Sequence, residues 1–103
     1  MENEVNIMAE EKPKTLTLSD GKEYKLPSIN LTTLANVEKS LGFGLGRLGD
    51  KLENETITTM RGLIHALLKE EQPELDIDTV GKLITLKEMT AISETISEIM
   101  AMS

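Results

Sequence analysis

From Lys14 to Leu26 apolar and polar residues alternate, KTLTLSDGKEYKL, around a central turn triplet. A period of two predicts a pair of short strands. A two-residue turn at Asp20-Gly21 would set Leu18 against Glu23 and Leu16 against Lys25, leucines opposite charges. A three-residue loop, Ser19-Asp20-Gly21, sets Leu16 against Tyr24 and Lys14 against Leu26, gathering the apolar residues on one face. That loop needs a left-handed residue in third place, and Gly21 supplies it. The expected unit is therefore a bulged three-residue hairpin. A lone hairpin is marginal in water, so it must pack on the helices.

After Pro27, which cannot donate to a ladder, the period changes from two to about 3.6. Asn30 is placed to cap a helix carrying Leu31, Leu34, Val37 and Leu41, and Gly42 to stop it. The next stretch, FGLGRLGD, alternates glycine with Phe43, Leu45 and Leu48 and reads as an apolar connector tucked against the core. A broad apolar face of Ile57, Met60, Leu63, Ile64, Leu67 and Leu68 predicts a central helix over residues 56–70, ended by Pro73. Asp76 is expected to cap a short helix with Ile77, Val80, Leu83 and Ile84. The capping box Thr85-Leu-Lys-Glu88 opens a last helix, with Leu86, Met89, Ile92, Ile96, Ile99 and Met100 on one stripe. Glu94 and Glu98 face away. The predicted fold is α+β and mostly helical, an N-terminal β-hairpin packed on about four helices.

Residues 1–13, MENEVNIMAEEKP, are acidic and without a sustained period, as expected of a disordered tail. Val5, Ile7 and Met8 within it offer an alternative, a docking patch or an added strand. The remainder, 14–103, is one domain, which suits a chain of 103 residues. Such a chain buries roughly two-thirds of its unfolded surface and needs no staple. With no cysteine there is neither a disulfide framework nor a thiolate metal site. No signal peptide or membrane-spanning run is visible, so the expected location is the cytoplasm.

Charge refines this picture. The net charge is −7, and residues 70–103 hold eight acids against two bases while the rest is close to neutral. Such a surface repels phosphate backbones and argues against nucleic-acid binding. It either keeps the chain soluble or meets a basic partner.

Side chains suited to catalysis are scarce. His65 is the one histidine, just off the apolar arc of its helix, and HALLKEE lacks the spacing of a zinc motif. There is no GxSxG serine and no cysteine nucleophile. GFGLGRLG has no Lys-Ser/Thr ending to make a phosphate loop. DIDTVGKLITLK has Val80 at a ligand position and Lys87 in place of the bidentate glutamate of a calcium loop. No catalytic, cofactor or metal site is expected. Glu38 falls within the apolar stripe of its helix and has two readings, a buried carboxylate paired with Arg47 or Arg61, or a rim residue reaching water. Met60, Met89 and Met100 fit core filling, and a thioether patch on the last helix is the second reading.

The order of elements resembles the small tail assembly chaperones of long-tailed bacteriophages and prophages. The likeness runs through LTLSDGKEYKLP, INLTTLANVEKSLG with Glu38 before Gly42, TMRGLIHALLKE, and PELDIDTVGKLI leading into a last helix. It spans about residues 14–100; the acidic tail and the glycine-rich connector depart from it. The resemblance implies a non-enzymatic protein of the bacterial host cytoplasm that holds the tape measure protein, or another tail protein, during tail morphogenesis. It implies no cofactor and no shared active site, and it leaves open a longer frameshifted product. Partner contacts would use apolar helix faces, here Ile96, Ile99, Met100 and Met102, with Gly21, Asn30, Glu38 and Gly42 structural. No spacing sets a subunit count for a homo-oligomer. The competing readings are a structural or connector protein of the tail and an acidic inhibitor or regulator of a host protein.

Overall fold

The computed structural model describes residues 14–102, with side chains through Ala101. The tail 1–13, with Val5, Ile7 and Met8, lies outside the described residues. Strands β1 (Thr15–Thr17) and β2 (Glu23–Lys25) form an antiparallel hairpin in which Leu16 faces Tyr24. The loop is the three-residue one. Gly21 has φ 79°, its N–H reaches the Leu18 carbonyl at 3.0 Å, and the Leu18 N–H reaches Lys22 O at 3.2 Å. Leu16 and Leu18 point into the core. The other face is wet, as a half-buried hairpin requires.

Helix α1 (Leu31–Leu41) follows, then a 3-10 turn (Leu45–Arg47) running into α2 (Leu48–Asn54). Helix α3 (Thr56–Glu71) is the hub, with α4 (Ile77–Leu83) beside it. A second 3-10 turn (Leu86–Glu88) opens α5 (Met89–Met102). This is a mostly helical α+β fold, and α3 packs against β2 and every other helix except the short turns. Leu63, Ile64, Ala66, Leu67 and Leu68 of α3 are fully buried, joined by Val37 of α1, Val80 of α4, and Ile92 and Ile99 of α5.

The local stop and start signals sit where the residues put them. Asn30 Oδ1 accepts the Thr33 N–H at 2.9 Å, and Asp76 Oδ1 accepts that of Thr79 at 2.7 Å. Thr85 and Glu88 form the capping box, the carboxylate accepting the Thr85 N–H at 2.6 Å and its hydroxyl at 2.7 Å. Gly42 closes α1 at φ 85°, its N–H on the Glu38 carbonyl at 2.9 Å. A Cβ at Gly42 would meet nothing within 4 Å, so substitution there costs backbone conformation alone. Gly42→Ala is expected to lower stability by about 1–2 kcal/mol in urea unfolding, whereas Gly46→Ala, with open space and ordinary φ, should be neutral or better.

Three capping or turn carboxylates are held below the usual range by the bonds they accept. Asp20 takes the Tyr24 hydroxyl at 2.7 Å and the Lys22 N–H. Asp76 takes the Thr79 N–H, and Glu88 the hydroxyl and N–H of Thr85. A folded pKa below the unfolded one means a contribution complete above the ordinary carboxyl range and lost as pH falls through and below it. Unfolding free energy should therefore be flat above about pH 5 and decline beneath it. Glu88→Gln, which removes one titrating group, should reduce that slope; an unchanged slope would dissociate the capping box from acid stability.

Tertiary contact overrides the sequence pattern in two places. The glycine-rich connector is helical over Leu48–Asn54, because Leu45 and Leu48 bury and Leu52 half-buries against the core, outweighing the poor propensity of Gly46 and Gly49. Its last carbonyls are taken by the next helix. Thr56 Oγ1 donates to Leu52 O at 2.6 Å and buried Thr59 Oγ1 to Lys51 O at 3.1 Å. Leu31, Ile57 and Leu86, each assigned to an apolar stripe, are instead 84 %, 71 % and 90 % exposed. All three stand in the first turn of their element, where the helix overhangs its neighbours. In α1 the small Thr33 takes the inward place beside Leu34 and Val37, its hydroxyl donating to Ser28 O at 2.7 Å.

Candidate functional site

Two of those exposed residues flank one groove of about 460 Å³. Helix α3 contributes Ile57, Met60 and Arg61, α4 contributes Gly81, and Ile84, Thr85 and Leu86 form the bend into α5, which adds Met89 and Ile92. The lining is apolar except for Thr85 and the Arg61 head group. The groove exists because Ile57 and Leu86 overhang the helix starts while Ile92 and Met60 close the floor toward the core. Two thioethers in the wall give a surface that can re-pack around different shapes. A second hollow, about 620 Å³, is lined by Met89, Thr90, Ser93, Glu94, Ser97 and Glu98. All of these belong to α5, so it is the polar side of one helix and encloses nothing.

The residues expected to touch a partner divide. Ile96 and Ile99 are 7 % and 1 % exposed and belong to the core cluster, where they hold α5 down in the isolated chain. Met100 is 43 % exposed on the far side of the stripe. Met102 ends α5, and its side chain is outside the described residues. Period alone identified the stripe, but an inward stripe and a contact stripe have the same period. Ile57 and Leu86 gave no separate signal, because they match the stripe as well as their buried neighbours do.

Glu38 is an exposed residue whose Oε2 accepts the Leu45 N–H at 2.8 Å. That caps the first 3-10 turn, so its partner is backbone and neither Arg47 nor Arg61. His65 is half-buried with Nε2 3.0 Å from the Leu75 carbonyl, a bond that ties α3 to the segment before α4. Among the described residues no three His, Cys, Asp or Glu side chains come together as a metal site would require. Nor is any helix among them long and apolar enough to cross a membrane.

Contacts invisible to the sequence hold the hairpin. Lys25 occupies a non-hydrogen-bonded place in the ladder, so its N–H and C=O face outward. Gln72, just past α3, takes both: its Oε1 accepts the Lys25 N–H at 2.7 Å and its Nε2 donates to Lys25 O at 3.2 Å. At the tip, the Ser19 N–H bonds Leu83 O at 2.9 Å. No family model, no curated protein and no solved structure matches the chain.

Proposed function

We propose that this chain is a non-enzymatic tail assembly chaperone of a bacteriophage or prophage, acting in the host cytoplasm and binding the tape measure protein during tail morphogenesis. The observation that carries the reading is the open apolar groove between α3 and the start of α5, bordered by Ile57 and Leu86 at 71 % and 90 % exposure. Unlike the lone exposed Leu31, these two adjoin a groove whose other lining is apolar, and a contiguous exposed apolar surface of that kind marks an interaction site. The net charge of −7 on the whole chain favours keeping a complex with an aggregation-prone partner in solution. The hairpin, capped helix, central helix and last helix on whose order the resemblance rests are all formed in that order. The test is co-expression with the tape measure protein encoded nearby, reading how much of it stays soluble and co-purifies. A stable complex supports the chaperone. A well-folded chain that retains none of it overturns the reading and favours a structural tail component, which would then be found in purified particles.

A further inference from the structure

We infer that the groove receives an amphipathic α-helix of the partner, with apolar side chains seated among Ile57, Met60, Leu86 and Met89 and one carboxylate meeting Arg61. The inference rests on the chaperone reading and adds to it the surface and the chemistry of the segment bound.

Backbone geometry selects a helix. Away from the first turns at Ile57 and Leu86, the helical parts of the walls spend their N–H and C=O groups internally. At the bend outside them, Thr85 gives its N–H to the Glu88 carboxylate at 2.6 Å and its C=O to the Glu88 N–H at 3.0 Å. Among the described residues no strand edge borders the groove, so an extended segment would find no ladder there to join. An occupant must satisfy its own backbone, and a helix does so.

Charge selects the carboxylate. Among the described residues lining the groove, Arg61 is the charged one and none is acidic. Its guanidinium makes no hydrogen bond or ion pair with any described residue, although the chain as a whole carries −7. Arg61 also lies against α4. Its stem lies across Gly81 so closely that a Cβ there would sit 2.8 Å from Cδ and 3.5 Å from Cγ. Glycine inside a helix has no conformational advantage over alanine, and here it makes room for the arginine to lie flat with its planar fork at the groove.

The test uses the full chain and the co-expressed tape measure protein. Leu86→Glu and Arg61→Glu change exposed side chains, so circular dichroism and the urea midpoint should match wild type. Each is expected to reduce co-purified tape measure protein at least tenfold. Arg61→Lys, which keeps charge without the fork, should fall between, and Gly81→Ala should weaken binding by displacing Arg61. Leu31→Glu, an equally exposed leucine outside the groove, should bind as wild type. A wild-type complex that survives Leu86→Glu and Arg61→Glu overturns the groove and leaves the chaperone standing. Loss with Leu86→Glu but not with Arg61→Glu overturns the carboxylate. An isolated chain that sediments as a dimer, and as a monomer once Leu86→Glu is introduced, shows a second copy as occupant and overturns the proposal. If wild type itself holds no tape measure protein, the functional reading and this one fall together.

Discussion

Leu63→Ala is expected to lower the unfolding free energy by about 2–5 kcal/mol. Leu63 is fully buried on α3, the helix against which α1, α2, α4 and α5 all pack. Removing its isobutyl group forfeits the transfer of that surface out of water and leaves a void that helices on several sides cannot all close. A domain of this size is stable by about 5–15 kcal/mol, so the loss is a large share of the total. Urea unfolding followed by circular dichroism reads it as a lower midpoint with an unchanged slope. Ile57→Ala on the same helix is the control. At 71 % exposure it should stay within about 0.5 kcal/mol of wild type. Equal effects at the two positions would mean that α3 does not sit at the centre of the fold.

The second large effect is at the other end of the chain. Ile99→Ala should cost about 2–4 kcal/mol, because Ile99 is 1 % exposed and fastens α5 beneath the other helices. Met100→Ala, one residue on, should cost far less, its side chain being 43 % exposed. The pair separates two roles that share a helical stripe. If Ile99 were a contact for a partner, Ile99→Ala would leave the isolated chain as stable as wild type and act on binding alone. The urea midpoint of the isolated chain decides between them. Helix α5 has no basic residue in its last turn to oppose the helix dipole, so side-chain packing must hold it.

The fold was legible wherever neighbours along the chain decide it. The loop Ser19-Asp20-Gly21 follows from which register puts Leu16 against Tyr24, and the structure has that register. Asn30, Gly42, Asp76 and the Thr85–Glu88 box are local as well, each satisfying a backbone group within four residues. Helix α2 was less legible, since its glycines oppose a helix and it forms because Leu48 finds a core to enter. The candidate site was the least legible part. Ile57 and Leu86 are written into the stripes just as Leu63 and Ile92 are, and the chain carries no mark for those that will overhang.

By itself the sequence determined the hairpin and its register, the capped helices other than α2, and the acidic character of the last third, since all of these depend on short-range bonds or on composition. Tertiary structure decided which apolar residues are core and which are surface. A period of 3.6 names a face of a helix but neither the partner that covers it nor where that cover ends. It also decided the contacts that hold the hairpin, Gln72 on Lys25 and Leu83 O on the Ser19 N–H, which join residues 47 and 64 positions apart. The same long-range packing lays Arg61 across Gly81 at the edge of the groove.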